Sequence, residues 1–175
     1  MNPPRTYAEW LPLLDQFGAG DDSVLEIMRG GTLEWTNVVA ERWTRQVADS
    51  LTTRLQSLSK QLQTSLDRAR GDHFAISNAL LLARRGLSPL RALVSLQALP
   101  PDLRNHLTSE VDRWATETQK SLERHAEGVR HDQGRLLKTI RDHPLNTVAE
   151  THTSQPAAPS STGGNPPVRG RRVIL

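Results

Sequence analysis

The chain has 175 residues, of which 36% are hydrophobic and 4% aromatic, and it contains no cysteine. This length and composition argue against two large domains and a thick sheet core, and the lack of cysteine excludes disulfides and thiolate metal sites. The formal net charge is +3, but residues 146–175 hold three of the 22 basic and one of the 19 acidic side chains, so the rest of the chain is nearly neutral.

The longest apolar run, at residues 79–83, is far shorter than the ~20 residues that cross a bilayer. The N-terminal residues also lack the apolar stretch of a secretory signal. We therefore expect a cytoplasmic protein without a membrane span.

Two short helices are predicted first. Thr6 and Glu9 have the spacing of a capping box, in which each side chain satisfies a backbone N–H of the other residue. Pro12 predicts a kink or division of this helix, and Gly18 and Gly20 predict its end. A second short helix follows within residues 23–30. Both are too short to be stable alone, so we expect them to pack on a larger element.

A long amphipathic helix is predicted for residues 32–70, because apolar residues recur there at steps of three and four. The stripe consists of Trp35, Val39, Trp43, Val47, Leu51, Leu55, Leu58, Leu62, Leu66 and Ala69. A helix of this length would measure about 55 Å, which favours a partner helix along its seam.

A helical hairpin is predicted next, with Asp72 as the first N-cap and Gly86 as the end of its first helix. Ser88 and Pro89 have the pattern of a cap followed by a proline in the first turn, which predicts a second helix. Such a hairpin would reverse the chain between two long helices.

A second long helix is predicted for residues 102–142, where the spacing of three and four returns and Gly128 and Gly134 weaken the pattern. From Pro144 onward small and polar residues dominate, which is typical of a disordered segment. The predicted fold is therefore all-α: two long amphipathic helices packed antiparallel as a bundle or coiled-coil-like pair, with short accessory helices. We assign residues 1–143 to this domain and 144–175 to a disordered linker and tail.

The tail contains the first candidate partner-binding residues. It ends in a basic and aliphatic motif consisting of Arg169, Arg171, Arg172, Val173, Ile174 and Leu175. Short apolar motifs bind partner grooves or sheet edges, and arginines add attraction to anionic partners. A solvated tail without a partner is the alternative.

Trp35 and Trp43 are the second candidates, because they share a helix face and tryptophan is a common interface anchor. Burial in the core is the alternative for both. No catalytic, phosphate-binding or metal-binding motif occurs, since Glu127 and His131 offer two metal ligands at most. We therefore expect neither an enzyme nor a bound cofactor or metal.

The sequence favours a non-enzymatic interaction or assembly protein, either a subunit or adaptor of a larger complex or a homo-oligomer. A nucleic-acid-binding accessory or regulatory protein is the alternative. It would use the tail arginines with Arg42, Arg45 and Arg54 of the first long helix, and its binding would weaken steeply with salt. Peripheral membrane association is less favoured because the polar faces are nearly neutral.

Overall fold

The structure is a computed structural model that describes residues 2–33, 37–69 and 71–146. This part of the chain forms six packed helices and no strand, which confirms the predicted all-α fold. The helices are α1 (Tyr7–Ala19), α2 (Val24–Arg29), α3 (Asn37–Ala69), α4 (His73–Val94), α5 (Pro101–Glu127) and α6 (Gln133–Asp142). Within the described ranges, each helix is too short or too polar to span a bilayer.

Helix α1 starts at the predicted capping box. The Glu9 carboxylate accepts hydrogen bonds from the backbone N–H groups of Arg5 (2.7 Å) and Thr6 (3.2 Å), and these bonds lower the pKa of Glu9. The predicted division at Pro12 was wrong, since α1 continues to Ala19. Its apolar face is fully buried against α3, and this packing compensates for the hydrogen bond that proline cannot donate.

The N-terminal half of α3 forms the core with α1. The rings of Trp10 and Trp43 meet edge to face at 5.5 Å, and neither side chain has exposed surface. About two turns further along both helices, an added Cβ at Gly18 would lie 3.6 Å from the Ser50 Cα, so the two backbones approach closely. Residue numbers rise together on both helices, so α1 and α3 are parallel.

Residues 73–94 form one helix, α4, so the predicted hairpin with a stop at Gly86 was wrong. Gly86 is not a helix end but a point of close approach to α3. A Cβ built there would lie 2.5 Å from Leu58 Cδ2, a distance that real contacts do not reach. Pro89 is buried within the same helix, and leucines on both sides of it continue the core-facing stripe.

The predicted helix over 102–142 is divided into α5 and α6, which is a second correction. Helix α5 ends at Gly128, and Asp132, with a φ of 58°, turns the chain back. The amide of Gln119 then donates to the Ile140 carbonyl (2.8 Å), which places α6 against α5. Folding back buries Leu136, Ile140 and Leu145, so the packed part of the chain extends beyond residue 143.

The two long helices α3 and α5 pack together as predicted, but they run parallel and not antiparallel. The Trp114 indole N–H donates to Ser59 Oγ (2.7 Å), and thirteen or so residues further on Gly71 lies beside the carbonyl of Gly128. Residue numbers therefore increase in the same direction along both contacts. The reason is that α4 is one unbroken helix. The chain reverses direction once before α4 and once after it, so α3 and α5 point the same way.

The contact between Gly86 and Leu58 predicts opposite effects for two glycine substitutions. We expect Gly86→Ala to lower the free energy of unfolding by about 1–2 kcal/mol, because the overpacking at Leu58 exceeds the gain in helix propensity. Gly134→Ala in α6 is the control, since an added Cβ there has no neighbour within 4 Å. It should raise stability by up to about 1 kcal/mol. Urea unfolding measures both, and equal effects would contradict the close approach.

Candidate functional site

The three long helices α3, α4 and α5 leave three grooves between them, and the described residues cover two of these. Helices α1 and α2 pack on α3 and α4, and α6 packs on α4 and α5. The side chain of Arg84 in α4 donates to the His143 carbonyl (2.6 Å), which holds the end of α6 in place. Within the described ranges no element covers the groove between α3 and α5, which we call the α3–α5 groove.

The floor of the α3–α5 groove is apolar. Leu62 and Leu66 of α3 are almost completely buried there, whereas Leu55 and Trp114 are partly exposed. The groove contains cavities of about 350 Å³ and 180 Å³, and both are lined by Ser59, Trp114 and Glu117. Because the cavities share these residues, they lie next to each other along the two helices.

Trp114 lies at the centre of the groove and bridges its walls. Its ring projects from α5, and its indole N–H donates to the Ser59 hydroxyl of α3 at 2.7 Å. This hydrogen bond fixes the ring while part of it stays exposed to solvent. A partly exposed, oriented tryptophan in a depression has the properties of an interface anchor.

The two rims differ in charge. The α3 rim is polar and uncharged and consists of Thr52, Gln56, Ser59 and Gln63. The α5 rim contains Glu110, Arg113 and Glu117. Arg113 forms an ion pair with Glu110 one turn away, whereas Glu117 has no ion-pair partner within the described residues. The α5 rim is therefore net negative.

The lining of the groove combines apolar and polar side chains. Its rims present hydroxyls and amides from α3, and the carboxylates of Glu110 and Glu117 with the Arg113 guanidinium from α5. In the described residues no three histidine, aspartate or glutamate side chains converge as a metal site requires. The apolar floor and polar rims together match a helix-binding groove.

The residues predicted from the sequence lie elsewhere. Trp43 is completely buried against Trp10, so it contributes to the core and offers no surface to a partner. Trp35 and the tail residues Arg169, Arg171, Arg172, Val173, Ile174 and Leu175 lie outside the described residues.

Arg54, which the nucleic-acid alternative uses, already has partners within the chain. It forms an ion pair with Asp22, and its guanidinium lies 5.5 Å from the centre of the Phe17 ring. Arg42 and Arg45 are exposed. Of the three helix arginines, Arg54 therefore contacts the α1–α2 turn and stabilises its packing against α3.

Two other features were not recognised from the sequence. Trp114 falls within the predicted second long helix, but the sequence does not indicate that Glu110 and Glu117 line a groove with it. Phe74 and Leu81 fall within the first helix of the predicted hairpin, and they are 69% and 48% exposed on the outer face of α4. Seven-residue spacing was the available signal for both pairs, since it places them on one helix face.

Comparisons of the chain with protein-family models, curated proteins and solved structures give no match.

The different settings of Trp43 and Trp114 predict different costs of truncation. Trp43→Ala should lower the free energy of unfolding by about 3–5 kcal/mol, because it opens a cavity in the core. Trp114→Ala should cost about 1–2 kcal/mol, because the partly exposed ring gives up less buried apolar area. Denaturant unfolding of both variants measures the difference, and equal costs would show that Trp114 belongs to the core.

Proposed function

We propose that this chain is a non-enzymatic interaction protein, a subunit or adaptor of a larger complex, and that its α3–α5 groove receives an amphipathic helix of a partner protein. The observation that carries the proposal is the uncovered groove. The two other grooves of the bundle are filled by helices of the chain itself. A helix is therefore the kind of element that this bundle accepts between two of its long helices.

The dimensions of the groove support a helical occupant. Its lining runs from Thr52 to Leu66 on α3, which corresponds to about 21 Å or four turns of helix. A partner helix would place apolar residues at positions i, i+3 or i+4, and i+7 over Leu55, Trp114 and Leu62. Trp114 would then become fully desolvated, the condition in which interface tryptophans contribute most to affinity.

The rims indicate the chemistry of the partner. Glu117 without an ion-pair partner favours a lysine or arginine on the side of the helix that faces α5. The hydroxyls and amides of the α3 rim favour an uncharged polar flank on the other side. We therefore propose a partner helix with an apolar stripe, one basic edge and one neutral edge.

Binding of nucleic acid has less support. The groove has a net negative rim, and Arg54 is engaged with Asp22 and Phe17. A phosphate backbone would meet repulsion at Glu110 and Glu117, whereas a basic helix edge would meet attraction.

Site-specific photo-crosslinking tests the proposal. A benzophenone amino acid would replace Gln63 on the α3 rim, and Thr64, an exposed neighbour outside the groove lining, would be the matched control position. In native extract we expect Gln63 to crosslink to peptides of an amphipathic helix from another protein at several times the yield of Thr64. Mass spectrometry identifies the peptide. Trp114→Ala should abolish the crosslink, and Phe74→Ser, on the other face of the bundle, should preserve it.

Two results would contradict the proposal. Equal crosslinking at positions 63 and 64 would show that the groove is not a docking site. A peptide from this chain itself, together with a dimer mass in light scattering, would assign the groove to self-assembly and not to a partner protein.

A further inference from the structure

We infer that residues 168–175 of this chain, with the sequence Val-Arg-Gly-Arg-Arg-Val-Ile-Leu, bind in the α3–α5 groove of the same molecule when no partner helix is present. The inference concerns the groove of the proposed function but does not depend on a partner. It makes the segment an intramolecular competitor for that groove.

The apolar surfaces match first. The groove leaves Leu55 and Trp114 partly exposed over a floor of buried leucines. After Leu145, the chain contains no isoleucine or leucine until Ile174 and Leu175, which follow directly on Val173. This aliphatic cluster is therefore the part of the remaining chain that gains most from covering the groove floor.

The charges match next. Arg169, Arg171 and Arg172 place three cations within four residues beside the aliphatic cluster. The α5 rim carries Glu110 and Glu117, of which only Glu110 has an ion-pair partner in the described structure. A segment with aliphatics over the floor would bring its arginines within reach of this rim, where guanidinium and carboxylate groups pair well.

The last described residues also lie beside α5. The Asn146 side chain donates to the Thr116 hydroxyl (2.7 Å), which places residue 146 on the side of α5 away from Trp114, about one helix diameter from the groove. Residues 147–167 connect this point to the segment, and a chain of this length can bridge up to roughly 70 Å. Because α5 is only about 10–12 Å thick, the length of this connection is sufficient for the segment to reach the groove.

Occupation of the groove by the segment would weaken partner binding. A partner helix would have to displace residues 168–175, so its apparent affinity would fall by the fraction of molecules with a free groove. A chain without residues 168–175 should therefore bind the partner more tightly than the full chain.

The absence of cysteine allows a direct test by disulfide trapping. The full chain would carry Gly170→Cys together with Gln63→Cys on the groove rim. The matched control carries Gly170→Cys with Thr64→Cys, which lies at the same height on α3 but outside the groove lining. In a glutathione buffer at low protein concentration, we expect the groove pair to form the intramolecular disulfide about tenfold faster than the control pair. Non-reducing electrophoresis separates this species from dimers.

Two further sets of substitutions, each added to the chain with Gly170→Cys and Gln63→Cys, test which contacts hold the segment in the groove. Trp114→Ala should slow trapping towards the control rate, because it removes the centre of the apolar floor. Replacing Arg169, Arg171 and Arg172 by glutamine should also slow it, and high salt should have the same effect on the unmodified arginines.

Equal trapping rates for the two pairs, or disulfide-linked dimers alone, would overturn the inference. This result is separable from the proposed function. Partner crosslinking at position 63 with equal trapping rates would leave the docking groove intact and remove the segment from it. Fast trapping without any partner crosslink would support binding of residues 168–175 in the groove and contradict the docking of a partner helix there.

Discussion

Close packing of α4 between α3 and α5 determines the rest of this structure. At its centre Gly86 lies against Leu58, with no room for even one added carbon atom. Because α4 is one unbroken helix and the chain reverses direction at both of its ends, α3 and α5 run in the same direction. Each of them packs firmly on α4, and they meet one another along a shallower line that includes the hydrogen bond between Trp114 and Ser59.

The covering helices follow from this arrangement. A bundle of three long helices leaves an apolar groove between each pair, and exposing such a groove is unfavourable. The α1–α2 segment covers one groove through the Trp10 and Trp43 pair, and α6 covers another through Leu136 and Ile140. The third groove keeps partly exposed apolar surface at Leu55 and Trp114, and this difference between the grooves is the physical basis of the proposed docking function.

Helix periodicity was sufficient to predict the class of fold and the stripe of α3, because apolar spacing depends on local geometry alone. It was not sufficient to interpret the glycines. Gly86 and Gly128 both looked like interruptions, yet Gly86 lies inside α4 and Gly128 ends α5. The role of Gly86 depends on its contact with Leu58, which is 28 residues away in sequence. A pattern of neighbouring residues gives no information about such a contact. Because the sequence predicted a helical hairpin in place of the single helix α4, it also predicted an antiparallel direction of α5 relative to α3, which was wrong.

The candidate site was harder to predict for a similar reason. Trp43 and Trp114 occupy equivalent places on apolar stripes, but Trp43 is enclosed by α1, whereas Trp114 faces a groove that none of the six described helices covers. Their exposure depends on how many helices surround each position, which is a property of the assembled bundle. Likewise, Glu110 and Glu117 can be identified as an acidic rim only once the structure places them beside Trp114 in the groove.

The parallel direction of α3 and α5 is the central claim, and a spin-label distance measurement tests it most directly. One doubly labelled variant would carry Thr52→Cys with Arg113→Cys, two residues that line the same cavity, and the other Thr52→Cys with Glu127→Cys. The second site lies fourteen residues further along α5, about 21 Å at the helical rise. A parallel pair predicts the shorter distance for 52 and 113, by more than about 10 Å. A shorter distance between 52 and 127 would contradict the arrangement and with it the groove.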